Sequence, residues 1–202
     1  MQKYFTFPLI LVFAVSCNQP PRTVTGPVDD QIQVIDSNEV TNDFYDNTET
    51  YSFTIPEVSV GGEIANPGIV DFSSLSRHSV IVKETLLDPE GGDRFAGAYR
   101  YDGYSLFDIL KNIVVKKANE EEFNSVIDLF VEVENAAGQK AVFSWGEIYY
   151  PNNLHRILIA DRVSRIVPSK TKDLWPLPAE SRIVAGNDLI TERNISSPVR
   201  IT

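Results

Sequence analysis

Thiol and imidazole side chains, which serve as metal ligands and in catalysis, are scarce in this sequence. The 202 residues include a single cysteine, Cys17, and two histidines, His78 and His155. Thiolate suits soft, redox-active metals, and imidazole is a frequent ligand of zinc. A zinc site would need both histidines together with carboxylates from elsewhere in the chain. Because the two histidines lie far apart in the sequence, we predict no metal site.

The common signatures of nucleotide and hydrolase sites are missing from the sequence. It contains no G-x-G-x-x-G, no G-x-x-x-x-G-K-[ST] and no G-x-S-x-G motif. The aromatic group Trp145, Tyr149 and Tyr150 follows a predicted strand and could line a ligand pocket. Aromatic side chains in such positions more often pack in the core or at its rim, so packing is the favoured interpretation.

The surroundings of Cys17 favour a role in membrane attachment. Lys3 precedes an apolar run from Tyr4 to Val15, which is shorter than the roughly 20 residues that a membrane-spanning helix needs. The run has the length of a signal-peptide core, and AVSC at its end resembles the cleavage motif of bacterial lipoproteins. The resemblance implies that residues 1–16 are removed and that Cys17 carries lipid. A buried N-terminal element and an ordinary secretory signal are the alternatives.

The charge of the chain limits its partners. There are 28 acidic and 18 basic residues, for a net charge of -10. A nucleic-acid-binding surface would require an excess of positive charge, so we expect no nucleic-acid partner. The predicted location is the bacterial cell envelope, on the periplasmic side, with the lipid providing the membrane contact.

The sequence divides into three parts. Residues 1–16 are predicted to form the signal peptide. Residues 17–50 begin with the lipidated Cys17 and continue as an acidic, flexible tether without a repeating apolar face. Residues 51–202 are predicted to fold as one domain.

Hydrophobic patterns in the third part predict many short strands and a few short helices. The residues SVIVK (79–83), RILIA (156–160) and SRIV (181–184) are strand-like. The segments LFVEVE and KAVFSW flank NAAG and predict a hairpin in which Leu129, Val131 and Val133 share one face. Strands and long helices do not alternate, so we predict an α+β fold with β-rich mixed sheets.

Two serines are predicted to begin helices. Ser105 precedes apolar residues at helical spacing, and Ser144 lies three residues before Glu147, the spacing of a capping box. A further short helix is predicted after Asn119, where three glutamates follow. The Asn-Pro-Gly sequence at 66–68 predicts a type II turn with Gly68 at positive φ.

Five motifs, in order, resemble the molybdopterin-binding domain of the sulfite oxidase type. They are VGGEIANPGIVDFSSL, YDGYSLFDIL, LFVEVENAAGQKAVFSWGEI, HRILIA, and SRIVAGND followed by RNISSPVRIT. Each motif is weak, but their order makes the set moderately specific, and together they cover about residues 57–202. The resemblance implies a sulfite-oxidase-like fold that holds a molybdenum–pyranopterin cofactor.

The resemblance also implies a cysteine ligand for molybdenum, which this sequence lacks. In active members the cysteine lies between the strand corresponding to SVIVK and the helix corresponding to SLFDIL, and residues 84–103 contain none. Candidate cofactor-binding residues near this region are Arg77, His78, Arg94 and Arg100, although ordinary surface charges are the more frequent explanation for such residues.

Three functions remain open at this point. The first is a lipid-anchored module that has lost the metal site and binds a small molecule or a protein partner. The second is an active molybdopterin-dependent oxidoreductase without cysteine ligation, and the third is an accessory subunit of a membrane complex.

Overall fold

The computed structural model of the protein describes residues 49–168 and 171–202. The predicted signal peptide, the predicted lipidation site Cys17 and the predicted tether as far as residue 48 lie outside the described residues. The predicted domain, residues 51–202, is described except for residues 169 and 170.

The described residues form ten strands and two short α-helices. Their bounds are β1 (Thr50–Ser52), β2 (Ser59–Val60), β3 (Gly68–Ile69), β4 (His78–Leu87), β5 (Asp93–Ser105), α1 (Leu106–Leu110), β6 (Phe130–Asn135), β7 (Lys140–Ser144), α2 (Trp145–Tyr149), β8 (Ile157–Arg165), β9 (Arg182–Ala185) and β10 (Pro198–Ile201). Among these residues, no helix is long and apolar enough to cross a lipid bilayer.

The first sheet, sheet A, is organised around β8. One edge of β8 pairs with β5, which in turn pairs with β4. The other edge of β8 pairs with β9 along its first part and with β1 along its second part. All of these pairs are antiparallel. Successive residues of β8 point to opposite faces, and Leu158 and Ile159 are both fully buried. The continuous apolar run in β8 is therefore explained by burial on both faces.

The second sheet, sheet B, has the order β3-β2-β10-β6-β7. Strand β10 pairs parallel with β2 and antiparallel with β6, so sheet B is mixed. The β6–β7 hairpin is as predicted: Val131 and Val133 are buried on one face, and Phe130 is exposed on the other. Its four-residue loop includes Gly138, which has a φ of 80°.

Apolar clusters cover both faces of sheet A. One contains Ile157 and Ile159 of β8 together with residues of α1, α2 and sheet B. The other contains Leu158 and Ala160 of β8, with Trp175 packed against it. The two helices therefore lie on the same side of sheet A as sheet B, and this arrangement positions both features described in the next subsection.

The predicted coarse class, a β-rich fold with mixed pairing and few short helices, is confirmed. Two local predictions are wrong. Residues 118–122 form turns rather than a helix, and Gly68 lies in β3 without a positive φ. Three glutamates favour a helix N-terminus only where an apolar face follows that can pack on the core, and Phe123 and Ile127 are both exposed.

Candidate functional site

A cavity of about 500 Å³ lies at one end of sheet B. Strands β2 and β10 end there, β6 begins there, and Trp145 at the start of α2 follows the end of β7. The end of α1 and the chain after it supply the opposite wall. The apolar lining residues are Val60, Ile64, Leu110, Ile113, Val115, Ala118, Leu129, Phe130, Val131, Trp145 and Ile201.

The polar lining of the cavity is acidic or neutral. It includes Glu63, Asp128 and Glu132, and none of the described lining residues is lysine, arginine or histidine. A carboxylate oxygen of Glu63 accepts a hydrogen bond from the backbone of Ala118, 3.1 Å away, and Glu132 pairs with Lys140 at 2.8 Å. The interior of the cavity is thus mainly apolar, with carboxylates among its polar groups.

A buried lysine holds in place the segment that precedes the cavity-lining residues 128–130. The Lys117 side chain is 2% exposed. Its ammonium group donates to the backbone oxygens of Phe123 (2.7 Å) and Ser125 (2.6 Å) and to the carboxylate of Asp128 (2.6 Å). These hydrogen bonds replace water around a charge that would otherwise be costly to bury. No sequence motif indicated this role for Lys117.

The three aromatic residues after β7 have different environments. Trp145 lines the cavity, which the favoured interpretation of packing did not anticipate. The Trp145 and Tyr149 rings stack with their centres 4.1 Å apart, and the Tyr149 hydroxyl donates to the backbone oxygen of Leu110 at 3.3 Å. Tyr150 is exposed.

A second feature brings together both histidines of the chain. His78, Asp108 and His155, the histidine cluster, have potential ligand atoms that all lie within 4.8 Å of one another. The sheet register explains the meeting. His78 begins β4 and pairs with Gly103 near the end of β5, while His155 lies just before β8, whose Leu158 pairs with Ser105. The prediction of no metal site depended on the distance between the two histidines along the chain. The fold brings them together in space, so that argument does not hold.

Strand β8 contains a bulge that shapes this end of the sheet. Its pairing with β5 shifts between Asp102 and Gly103, because Asp161 is an extra residue of β8. A side chain at Gly103 would overlap the backbone oxygen of Ile159. Glycine at this position therefore allows β5 and β8 to approach closely where β5 leads into α1.

The nearly buried carboxylate of Asp108 is the centre of the histidine cluster. Its Oδ2 atom accepts hydrogen bonds from His78 Nε2 at 2.8 Å and from the Ser105 hydroxyl at 2.9 Å, and its Oδ1 atom is 3.2 Å from Lys111 Nζ. Burial by itself would raise the pKa of Asp108. The hydrogen bonds from Ser105, His78 and Lys111 outweigh burial and lower the pKa, so Asp108 is a carboxylate at neutral pH.

His155 completes the cluster on its outer side. Its Nδ1 atom is 3.2 Å from the Ser105 hydroxyl oxygen and 3.5 Å from Asp108 Oδ2, and its ring stacks on that of His78 with centres 3.8 Å apart. The single hydroxyl proton of Ser105 already goes to Asp108, so we assign His155 Nδ1 as the donor to Ser105. Burial and the neighbouring His78 lower the pKa of His155, which favours its neutral ring.

The other candidate cofactor-binding residues do not converge on one place. Arg77 forms a two-point ion pair with Asp161, with hydrogen bonds of 2.7 and 3.2 Å. Arg100 lies 3.5 Å from Asp102 and also contacts Ser164. Arg94 pairs with Leu86 next to the turn of the β4–β5 hairpin, whereas His78 lies at the open end of the hairpin. Of the four, only His78 belongs to a cluster of potential ligands.

No protein-family model matches the sequence, and no curated protein is significantly similar to it.

Proposed function

We propose that this protein is an exported lipoprotein of the bacterial cell envelope whose domain binds a small, mainly apolar ligand. The observation that carries the proposal is the cavity at the end of sheet B. Its volume of about 500 Å³ falls within the range of about 300–1,000 Å³ that is usual for small-molecule sites. Its apolar walls and few polar groups are typical of such sites. The membrane anchor at Cys17 and the periplasmic location are part of this proposal.

The sulfite-oxidase-like fold is also part of the proposal, as a form that has lost its cofactor. The order of the five sequence motifs supports it. The described residues fit the cofactor itself poorly, because a pyranopterin brings a phosphate, which calls for converging basic groups. Arg77 and Arg100 lie next to carboxylates, Arg94 is remote from them, and the few polar residues that line the cavity are acidic or neutral. None of the described residues is a cysteine, so we favour a binding module over an oxidoreductase.

One observation favours a protein partner as the second candidate, in the manner of an accessory subunit. Phe130, which lines the cavity, is 62% exposed, and Ile127, next in sequence to the lining residue Asp128, is 76% exposed. Exposed apolar side chains around a cavity can dock a partner. A protein partner at this surface would cover the cavity, so a partner and a small-molecule ligand should compete for binding there.

A neutral apolar dye, N-phenyl-1-naphthylamine, tests the small-molecule proposal. Gly61 lines the cavity, has no positive φ, and would direct a new Cβ into open space. Gly61→Phe should therefore fill the cavity without straining the backbone. We expect the wild-type chain to bind one dye molecule saturably, and the variant to bind it at least about tenfold more weakly, a loss of about 1.4 kcal/mol.

Gly68→Phe is the matched control. Gly68 is also free of close neighbours and has no positive φ, but it does not line this cavity. Its variant should bind the dye like the wild type. Equal binding by the Gly61→Phe and Gly68→Phe variants, or no saturable binding by the wild type, would contradict the proposed ligand site.

A further inference from the structure

The histidine cluster lies apart from the cavity, since neither His78, Asp108 nor His155 lines it. Its three side chains offer two imidazole nitrogens and one carboxylate oxygen, with ligand atoms all within 4.8 Å of one another. Two histidines and one carboxylate form a ligand set that zinc uses in sites with an open fourth position. We propose that His78, Asp108 and His155 bind a divalent transition-metal ion of the zinc type.

The distances between the ligand atoms are close to those of a metal site. In a tetrahedral zinc site with bonds of about 2.0–2.1 Å, neighbouring ligand atoms lie about 3.3 Å apart. Here, Asp108 Oδ2 lies 3.5 Å from His155 Nδ1 and 2.8 Å from His78 Nε2. Shifts of less than about 1 Å for these pairs would admit the ion. The hydrogen on each coordinating nitrogen would move to the other ring nitrogen or leave the protein.

Ser105 holds the carboxylate ligand in place. Its hydroxyl is fully buried, donates to Asp108 Oδ2 at 2.9 Å and accepts from the Asp108 backbone N–H at 3.1 Å. Such outer hydrogen bonds fix the orientation of metal-binding carboxylates. Because Ser105 also begins α1, the same contact ties the carboxylate to the end of β5 and to the helix.

The stacked rings require one rearrangement. Imidazole lone pairs lie in the ring plane, and the two planes are inclined by only 8° with ring centres 3.8 Å apart. One ion cannot lie in both planes, so one ring must turn when the ion binds. His155 is free to do so: its side chain is 41% exposed and meets Phe107 edge-on at 5.8 Å. Metal binding should therefore separate the stacked rings.

Lys111 is the charged group that opposes the ion. Its ammonium lies 3.2 Å from Asp108 Oδ1, and its side chain is 45% exposed. The lysine can move into solvent, but its positive charge weakens the attraction of the cluster for a cation. Lys111→Met should remove this repulsion, so we expect tighter metal binding by several-fold. A purely structural histidine pair would give no such gain.

The experiment is a titration of the full-length chain carrying Cys17→Ser with Zn²⁺ and with Co²⁺, which reports its ligand geometry in its visible spectrum. With Cys17 replaced, no thiol remains, and His78 and His155 are the two imidazole ligands of the chain. We expect one equivalent to bind with a tetrahedral or five-coordinate Co²⁺ spectrum, and His155→Gln to weaken the affinity at least tenfold. In NMR spectra, Zn²⁺ should shift the ring signals of His78, His155 and Phe107 together.

Glu147→Gln is the matched control, since Glu147 holds the position in α2 that Asp108 holds in α1. It should leave the affinity for Zn²⁺ unchanged. Because His155 is half-exposed, its variant should keep the fold, which the melting temperature without metal checks. The proposal is overturned if no single-equivalent binding occurs below millimolar Zn²⁺, or if His155→Gln binds as tightly as its parent.

Discussion

Helices α1 and α2 begin alike but use their first acidic residue differently. Each has five residues, follows a strand directly, and begins at a serine whose hydroxyl accepts the backbone N–H three residues on. In α2, Glu147 reaches back to the backbone N–H of Ser144 and closes a capping box on the surface. In α1, the Asp108 carboxylate instead accepts hydrogen bonds from the Ser105 hydroxyl and from His78.

The difference arises from what each helix faces. Glu147 is half-exposed and lies 2.8 Å from Arg193, an additional partner beyond its own cap. Asp108 is nearly buried between the starts of β4 and β8, where two histidines approach it. The same local pattern therefore yields a structural cap in one place and a potential ligand in the other. Capping spacing identifies the helix start, and the neighbouring strands decide the chemistry.

The largest expected effect concerns the core on which both helices rest. Val131 belongs to the same buried cluster as Leu106 of α1 and Ile148 of α2. Val131→Asp should destabilise the domain by several kcal/mol, because it places a carboxylate without a partner in an apolar interior. Urea unfolding followed by circular dichroism measures the free energy of unfolding.

Phe130→Asp is the control for Val131→Asp, because Phe130 is the preceding residue on the exposed face of β6. Its cost should stay below about 1 kcal/mol. If the two aspartates cost the same, the alternation of faces in β6 is not what stabilises the hairpin.

The second effect compares the two caps directly. Replacing an N-cap serine by alanine costs about 0.5–2 kcal/mol. Ser105→Ala should lie at the upper end, since the buried hydroxyl also bonds Asp108 and His155. Ser144→Ala should lie at the lower end, because its cap is exposed and Glu147 keeps Arg193. Equilibrium unfolding of both variants measures the difference, and equal costs would show that the histidine cluster adds nothing to the cap.

The smallest effect is a pH dependence at the surface cap. Burial by itself would raise the pKa of Glu147, but hydrogen bonds from Arg193 and from Ser144 outweigh it and lower the pKa. A carboxyl group with a lowered folded pKa stabilises the protein above its unfolded value, about 4.3, and loses this contribution as the pH falls through the folded value. Half-exposure keeps the contribution below about 1 kcal/mol.

Glu147→Gln should therefore be slightly less stable than the wild type at pH 7, and the difference should narrow at pH 3. Unfolding in urea at both pH values gives the two differences. A gap at pH 3 as large as the gap at pH 7 would mean that the glutamine side chain packs badly, and that the charge of Glu147 is not the cause.

Much of the local structure followed from the sequence. The starts of α1 and α2 were predicted from Ser105 and from the Ser144–Glu147 spacing, and the faces of β6 from the alternation around Val131. These signals depend on residues within a few positions of one another, where backbone hydrogen bonds and side-chain periodicity leave few alternatives. The helix predicted after Asn119 is wrong because Phe123 is exposed and gives no apolar face, and because the Lys117 ammonium binds the backbone oxygens of Phe123 and Ser125 in a turn conformation.

Only the tertiary structure decided what the functional features are. The cavity exists because β10 inserts between β2 and β6 and brings Ile201 beside Val60 at the end of the sheet. The histidine cluster exists because β5 pairs with β4 on one edge and with β8 on the other, which carries His78 and His155 to the same side of Asp108. Sequence by itself determined that the chain holds two histidines and a helix that begins at Ser105, with Asp108 in its first turn. Their meeting depends on strand pairings between segments far apart in the chain, whose register is set by the burial of whole faces.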